Sequence, residues 1–268
     1  MEFFATSGGI PVHISDSRKG KETLVLLHGY LETLYIFEEF AKLLEPYFRV
    51  ISIDLPGHGL SGSDNEINSI SFSAGVVADV LDTCKVESAF VAGHSMGGYV
   101  AQRCIIEHGN KFKGLVLLNS TPFADTPEKV QDRMREIDAI SAGKLLQLAS
   151  LSIPKMYASD NLRRFDEKIQ ETLEICEMHD PEGIVACLRG MAERTCNTEP
   201  LEEYSPVLLV FGDSDKFISV ERAQEIGKSW PAAKSVMLPV CGHNSFIEQP
   251  EAVVDAILSF ANIRVEAE

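Results

Sequence analysis

A serine flanked by glycines is the feature of this chain best suited to chemistry. Residues 93–98 read Gly-His-Ser-Met-Gly-Gly, and they directly follow a short apolar run at residues 89–92. Such a string between a strand and a helix predicts a tight turn that lifts the Ser95 hydroxyl clear of the backbone. The following helix would place free N–H groups and the positive end of its dipole beside that hydroxyl. Ser95 is therefore the candidate nucleophile.

A serine nucleophile requires a general base, and histidine is the usual one. The chain has seven histidines. His243 lies in a loop opened by a glycine, after the last apolar run and before the closing helical segment. Because loops that follow parallel strands meet at one edge of a sheet, we expect His243 to lie near Ser95 and to act as the base.

An acid must orient that histidine, and two aspartates compete for the role. Asp213 and Asp215 both follow the apolar run at residues 207–211. We favour Asp215, because a turn that begins at Gly212 leaves Asp213 near the strand end and lets Asp215 reach inward. Asn119 also follows a strand, but it is excluded as the acid because an amide carries no charge to oppose an imidazolium.

Backbone donors must stabilise the oxyanion that forms when a hydroxyl attacks a carbonyl. Residues 28–30 read His-Gly-Tyr at the end of another apolar run, and the glycine lets the next amide turn toward the nucleophile. We therefore predict an oxyanion hole made of the backbone amides of Tyr30 and Met96. With the three side chains above, these amides would support acyl transfer through an acyl-enzyme. No metal or organic cofactor is expected.

Short apolar runs supply the strands that must position these groups. The runs do not alternate polar with apolar residues, which is typical of strands covered on both faces in a parallel sheet. They lie at residues 24–27, 50–53, 89–92, 115–118, 207–211 and 235–238, with helix-period stripes between them. We expect an α/β fold with a doubly wound, mostly parallel sheet. About the first fifteen residues predict a hairpin at the sheet edge.

One interval interrupts this alternation. Residues 120–205 contain no convincing strand and only helical stretches, at 128–140, 143–150, 161–178 and 181–193. The interval is too long and too amphipathic for a loop. We expect it to form a helical cap over strand ends of a core domain that comprises residues 1–119 and 206–268.

In the order of its landmarks the chain resembles the α/β-hydrolase family. The landmarks are His-Gly at 28–29, Asp-Leu-Pro-Gly-His-Gly at 54–59, the serine turn at 93–98, Gly-Asp-Ser-Asp at 212–215 and Gly-His at 242–243. The resemblance covers the whole chain except the cap, where the family varies. It implies an eight-stranded sheet, a cap between strands six and seven, and a catalytic triad in the order Ser, Asp, His. It also supports Asp215, and His94 is interpreted as a packing residue beside the nucleophile elbow.

The cap contains two groups of side chains that bear on the substrate. An apolar stripe would either line a hydrophobic pocket or form the cap's own core; it comprises Leu145, Leu146, Leu148, Leu151, Ile153, Met156 and Tyr157. Six arginines are also present, namely Arg133, Arg135, Arg163, Arg164, Arg189 and Arg194. One or two arginines directed inward would favour a carboxylated substrate.

Composition narrows the class of partner. The chain has 268 residues, 45% of them hydrophobic, and a formal net charge of −16, which argues against nucleic acid and anionic membrane surfaces as partners. Its six cysteines show no C-x-x-C spacing and indicate reduced, mostly buried thiols. With no signal peptide and no apolar run long enough to span a bilayer, we expect a cytoplasmic protein with a small-molecule substrate. The oligomeric state stays open.

Three functions are compatible with these residues. The first is a serine hydrolase that cleaves a carboxylic ester, or a related acyl bond, of a small or medium hydrophobic substrate. The second uses the same triad to hydrolyse a carbon–carbon bond or to perform a lyase step, and inward cap arginines would favour it. The third is a small-molecule receptor with vestigial hydrolysis, against which an intact triad argues.

Overall fold

Eight strands form one sheet in the computed structural model of the chain, which describes residues 1–63 and 66–263. The strands are β1 (Glu2–Ser7), β2 (Ile10–Asp16), β3 (Glu22–Leu27), β4 (Phe48–Ile53), β5 (Ala89–His94), β6 (Phe112–Leu118), β7 (Val207–Gly212) and β8 (Lys234–Leu238). Their order across the sheet is β1-β2-β4-β3-β5-β6-β7-β8. The β1–β2 hairpin lies at one edge and is antiparallel, as is the β2–β4 pair, while all other neighbours are parallel. The predicted doubly wound, mostly parallel fold is confirmed.

Helices cover both faces of this sheet. They are α1 (Glu38–Leu44), α2 (Ile70–Thr83), α3 (Met96–His108), α4 (Pro127–Ser141), α5 (Leu145–Ser152), α6 (Asp166–Glu177), α7 (Pro181–Ala192), α8 (Thr198–Leu201), α9 (Val220–Ser229), α10 (Ser245–Glu248) and α11 (Pro250–Phe260). Short 3-10 turns lie at Leu34–Phe37, Gly109–Lys111, Ile153–Met156 and Ser159–Asn161. Because neither face of the central strands meets water, those strands are apolar at consecutive positions.

Successive side chains of β3 show how one strand serves two cores. Leu24 and Leu26 belong to the apolar cluster on the α1 and α11 face, and Val25 and Leu27 belong to the cluster on the α2 and α3 face. All four side chains are fully buried. This alternation follows from the two-residue repeat of a strand, and it explains why the run at residues 24–27 has no polar member.

Between β6 and β7 the chain is helical, with α4 to α8 and two of the 3-10 turns. Thr126 caps α4 through its hydroxyl and Asp180 caps α7, each followed by a proline at the first helical position. The second predicted stretch begins two residues late, at Leu145, because Gly143 adopts a φ of 76° and ends the preceding turn. We propose that this helical segment is a cap on the core formed by residues 1–119 and 206–268.

All six cysteines are unpaired, and five of them are buried, in agreement with the expectation of reduced thiols. In the parts of the chain that the structure describes, no helix combines the length and the apolar character needed to cross a bilayer.

Two glycines of this fold predict opposite effects on stability. A β-carbon at Gly97, in the first turn of α3, would overlap the backbone carbonyl of Leu27, whereas one at Gly75, in the interior of α2, meets nothing within 4 Å. Gly97→Ala should therefore lower the free energy of unfolding by about 1–3 kcal/mol. Gly75→Ala should raise it by about 0.5–1 kcal/mol, because alanine loses less backbone entropy in a helix. Urea denaturation followed by circular dichroism measures both, and a Gly97→Ala protein as stable as Gly75→Ala would contradict the packing described.

Candidate active site

Ser95 occupies a strained turn between β5 and α3. Its φ of 48° and ψ of −112° lie outside the regions that a residue with a side chain usually adopts. Its amide donates to the carbonyl of Leu118 at 3.0 Å, which ties the turn to the end of β6. Glycines flank the serine because β-carbons would not fit: one at Gly93 would overlap the Gly97 carbonyl, and one at Gly97 would overlap that of Leu27.

His243 and Asp215 form a buried pair at the ends of β8 and β7. The Nδ1 atom of His243 lies 2.7 Å from Oδ2 of Asp215. Because a carboxylate only accepts, Nδ1 carries the hydrogen and Nε2 is left as the nitrogen able to take a proton. Asp215 Oδ1 accepts from the amides of Phe217 at 2.7 Å and Ile218 at 3.1 Å.

The carboxyl group of Asp215 is held ionised by its surroundings. Burial by itself would raise its pKa, but the facing His243 ring, the Asn119 amide and the Phe217 amide together lower the pKa below the usual range. Asp213, the competing acid, is exposed and accepts from the hydroxyl of Ser214 at 2.8 Å and from the amide of Cys241 at 3.4 Å. The geometry thus pairs His243 with Asp215.

Asn119 has a place at the site that the sequence reasoning missed. Its side-chain nitrogen donates to Asp215 Oδ2 at 3.0 Å and to the carbonyl of Gly242 at 3.1 Å. It therefore links the acid to the loop of the histidine. Asn119 was excluded as the acid because it carries no charge. Its side-chain amide can nevertheless donate hydrogen bonds, and it follows a strand that ends at the same edge of the sheet; these two facts were the available signal.

Ser95, His243 and Tyr30 line one cavity of about 350 Å³. Asp215 lies behind the histidine, and the Met96 side chain is buried in the core. Across residues 1–63 and 66–263, no hydrogen bond joins the Ser95 hydroxyl to His243, so the structure places them on a shared wall and does not pair them. Nor does that part of the chain contain a group of three or more His, Cys, Asp or Glu side chains arranged to hold a metal ion.

Among the described residues, the two amides predicted to form the oxyanion hole have no hydrogen-bond acceptor, whereas the amides on either side of Tyr30 do. Leu31 N donates to His58 Nε2 at 3.3 Å, and Gly29 N donates to Glu32 Oε2 at 2.6 Å. For Tyr30 N and Met96 N, the described residues provide no acceptor. Met96 is the first residue of α3, where a helix leaves its amides free.

A second acid–histidine pair lies directly beneath the first. His94 Nδ1 is 2.9 Å from Oε2 of Glu32, and both side chains are fully buried. The other ring nitrogen of His94 lies 3.1 Å from the backbone carbonyl of His243, and the two imidazole rings are 5.0 Å apart. Sequence reasoning interpreted His94 as packing beside the elbow; it does pack there, and it also bonds the histidine loop.

Glu32 connects this pair to the loop of Tyr30. The same oxygen that faces His94 accepts the Gly29 amide at 2.6 Å. Burial opposes ionisation of this carboxyl group, but the charge and hydrogen bond of His94 and the Gly29 amide together lower the pKa of Glu32. Both ring nitrogens of His94 are thus engaged, one by Glu32 and the other by the backbone carbonyl of His243. The buried pair of Glu32 and His94 thereby joins the nucleophile elbow, the Tyr30 loop and the loop of His243.

The cap contributes charge to the cavity more than it contributes apolar surface. Of the predicted apolar stripe, Met156 alone is a lining residue; Leu146 and Leu151 are exposed, and the others are wholly or partly buried in the core. Of the two alternatives for the stripe, packing in the core fits most of its residues, the pocket fits Met156, and Leu146 and Leu151 fit neither. Two of the six cap arginines, Arg133 and Arg194, do line the cavity.

Comparison with known sequences identifies relatives along nearly the whole chain. A sequence model of the alpha/beta hydrolase family matches residues 24–256. A pimeloyl-acyl-carrier-protein methyl ester esterase of Nitrosomonas europaea is 27% identical over 249 residues, which cover 91% of this chain and 96% of the relative. The enzyme of the same name from Vibrio vulnificus is 24% identical over 243 residues, or 89% of this chain and 93% of the relative.

Solved structures show the same similarity in three dimensions. A thermophilic esterase from Thermogutta terrifontis, determined with malate bound, superposes with a TM-score of 0.91 over 98% of both chains at 26% identity. An enol-lactonase from Burkholderia xenovorans gives a TM-score of 0.88 at 22% identity over 97% of this chain and 99% of its own. The latter likeness concerns the fold alone.

Exchange of either aspartate tests which acid orients the histidine. Asp215→Asn should slow the labelling of Ser95 by a fluorophosphonate on the order of 10³-fold or more, because an amide facing Nδ1 no longer fixes the productive tautomer. Asp213→Asn, the matched control, should stay within about twofold of the wild type, since its side chain is exposed. Equal losses in both variants would refute the assignment of Asp215.

Removal of the charge on Glu32 tests the second pair. Glu32→Gln should slow Ser95 labelling by about ten- to a hundredfold, because it removes charge-assisted hydrogen bonds to His94 and Gly29. In steady-state assays kcat should fall while KM changes little. Glu39→Gln, at an exposed position, is the control. A Glu32→Gln protein that is folded at the assay temperature and is labelled at the wild-type rate would show that the pair only fills space.

Proposed function

The chain belongs to the α/β-hydrolase family and is a carboxylic-ester hydrolase, and from its site we propose that the reaction passes through an acyl-enzyme on Ser95. The observation that supports this most directly is the alignment of Asp215, His243 and the cavity wall that carries Ser95. The acid fixes one nitrogen of the imidazole and leaves the other for proton transfer. Esterase relatives of full length agree with this chemistry.

Acylation begins with attack of the Ser95 hydroxyl on the ester carbonyl. His243 Nε2 takes the hydroxyl proton as the bond forms, and Asp215 stabilises the resulting imidazolium. The carbonyl oxygen becomes an oxyanion that accepts from the amides of Tyr30 and Met96. Each such donor is typically worth about 3 kcal/mol of transition-state stabilisation. His243 then returns its proton to the leaving alcohol.

Deacylation repeats these steps with water in place of the serine. His243 removes a proton from the water as it attacks the acyl carbonyl, and Ser95 recovers its proton when the acid product leaves. The cavity of about 350 Å³ lies at the small end of the range for ligand sites, which suits a small or medium substrate. No step requires a metal or an organic cofactor.

Hydrolysis of a carbon–carbon bond, or a lyase step, is the second candidate. The observation in its favour is that Arg133 and Arg194 line the cavity, since cationic side chains there suit the carboxylated substrates that such reactions use. Ester hydrolysis remains the better supported function, because the relatives named above are esterases and because inward arginines are equally suited to a carboxylated ester.

Turnover of p-nitrophenyl acyl esters of graded chain length tests the proposal. We expect sustained turnover that peaks at short acyl chains and labelling of the protein by a fluorophosphonate. Ser95→Ala should abolish both while shifting the thermal midpoint little, because a hydroxyl at the cavity wall contributes little packing. His108→Ala, at the end of α3 and outside the site, serves as the control.

Other results would point to the alternatives. Release of p-nitrophenol that stops after one equivalent would indicate a receptor with vestigial hydrolysis. Fluorophosphonate labelling without turnover of any ester would favour the carbon–carbon hydrolase or lyase. Labelling that persists in Ser95→Ala would refute the assignment of the nucleophile.

A further inference from the structure

Cationic side chains outnumber acidic ones in the wall of the catalytic cavity, although the protein is strongly acidic. Five cationic side chains line the cavity, namely Lys129, Arg133, Arg194, Lys216 and Arg222. Asp125 and Glu136 are its two acidic lining residues, against a formal charge of −16 for the whole chain. Burial raises the pKa of Glu136, which reduces its ability to offset the cations. The surplus of positive charge is thus local to the cavity.

Two of these cations are buried and share a single carboxylate. The side chains of Arg133, Arg194 and Asp125 are each at least nine-tenths buried. Arg133 Nε and Arg194 Nη2 both bond Asp125, the latter at 2.8 Å, so one negative charge balances two guanidinium groups. In the described parts of the chain, neither Arg133 Nη1 nor Arg194 Nε has an acceptor. An unbalanced buried charge is costly unless a ligand of opposite charge pairs with it.

Arg194 packs against Tyr99, which lies on the helix that begins directly after Ser95. Its guanidinium lies 3.9 Å from the centroid of the Tyr99 ring, and its Nη1 and Nη2 donate to the carbonyls of Met191 and Phe123 at 2.9 and 3.1 Å. Tyr99 lies four residues after Ser95 on α3, which is about one helical turn, or roughly 5.4 Å along the axis. Ser95, Tyr99 and Arg194 line the same cavity, so a substrate held by the arginine shares that cavity with the serine.

Tyr30 lies near Arg133, because the charges of Glu136 and Arg133 both act on its hydroxyl. Its amide is one of the proposed oxyanion donors, while its hydroxyl is buried and has no hydrogen-bond partner among the described residues. A buried hydroxyl without a partner is costly, which makes it an available donor to an incoming acceptor. Tyr30 thus spans the distance between the reaction centre and the neighbourhood of Arg133.

We propose that Arg133 and Arg194 bind a free carboxylate of the substrate in this cavity, so that the preferred substrates are half-esters of short dicarboxylic acids. The inference rests on the proposed ester hydrolysis and specifies its substrate class. A guanidinium presents planar donor pairs that match a carboxylate, and such charge-assisted bonds are about twice as strong as neutral ones. Arg133 is the principal specificity-determining residue, because among the described residues its guanidinium donates to Asp125 alone, whereas both terminal nitrogens of Arg194 already donate to backbone carbonyls.

Binding without catalysis is the first arm of the test. Glutarate should raise the thermal midpoint of the wild-type protein in a concentration-dependent manner, and 1,5-pentanediol, a neutral compound of the same carbon number, should not. Arg133→Met should lose the stabilisation by glutarate. Arg135→Met, an exposed arginine two residues along the same helix, should retain it.

Selectivity in turnover is the second arm. We expect kcat/KM of the wild-type protein for monomethyl glutarate to exceed that for dimethyl glutarate at least tenfold. Arg133→Met should reduce this ratio about tenfold, and Arg135→Met should leave it unchanged. The wild-type ratio decides the matter even if Arg133→Met does not fold.

The outcomes separate the inference from the function on which it rests. Equal or better turnover of dimethyl glutarate, with no stabilisation by glutarate, would overturn the carboxylate site and leave ester hydrolysis intact. Stabilisation by glutarate with no turnover of either ester would support the carboxylate site and count against the proposed reaction. An unchanged ratio in folded Arg133→Met would overturn the role of that arginine.

Discussion

Backbone contact between the Ser95 turn and the end of β3 is the constraint on which the rest of the site depends. Gly97 lies so close to the carbonyls of Leu27 and His28 that no β-carbon fits between them. The start of α3 is thereby pressed against the strand that leads into the Tyr30 loop. Because the contact is made by backbone atoms, it holds Ser95, the proposed nucleophile, and the amides of Tyr30 and Met96, the proposed oxyanion donors, with little freedom. The strained φ of Ser95, of the kind that costs about 1–3 kcal/mol, persists because the buried sheet around it fixes the turn.

The two acid–histidine pairs show why similar residues have different capacities for chemistry. His243 and His94 each turn one ring nitrogen toward a buried carboxylate, at 2.7 and 2.9 Å. The second nitrogen of His94 is already engaged by a backbone carbonyl at 3.1 Å. His243 belongs to the cavity wall, so its second nitrogen is the one that a reacting proton can reach. Because both nitrogens of His94 are engaged by buried partners, neither is open to a substrate proton, which makes His94 suited to positioning and unsuited to general-base catalysis.

Sequence reasoning recovered the features that depend on local pattern. The buried strands, the edge hairpin and the glycine-flanked serine are each written in a few consecutive residues, because apolar continuity and steric limits act over that range. The pairing of Glu32 with His94 cannot be predicted from local pattern, since the two residues are 62 positions apart and are brought together by the sheet. Asn119 was considered only as an acid, and its hydrogen bond to Asp215, 96 residues away along the chain, likewise depends on the sheet. Leu146 and Leu151 were expected to be covered by the pocket or the cap core and are exposed. Helical periodicity shows which residues share a face of a helix, but it does not show what that face contacts.

Charge explains how an acidic protein could favour an acidic substrate. At physiological ionic strength the field of the surface carboxylates is screened beyond about 8 Å, so an anion is repelled only weakly until it reaches the cavity. Inside, the cations act in a medium of low dielectric constant, where Arg133 and Arg194 share the carboxylate of Asp125. Hydrolysis of the proposed half-ester at Ser95 would convert it into a dicarboxylate such as glutarate. Because the product keeps the carboxylate that these cations would bind, its affinity for the cavity can be measured without turnover, which separates the binding of the carboxylate from the hydrolysis of the ester.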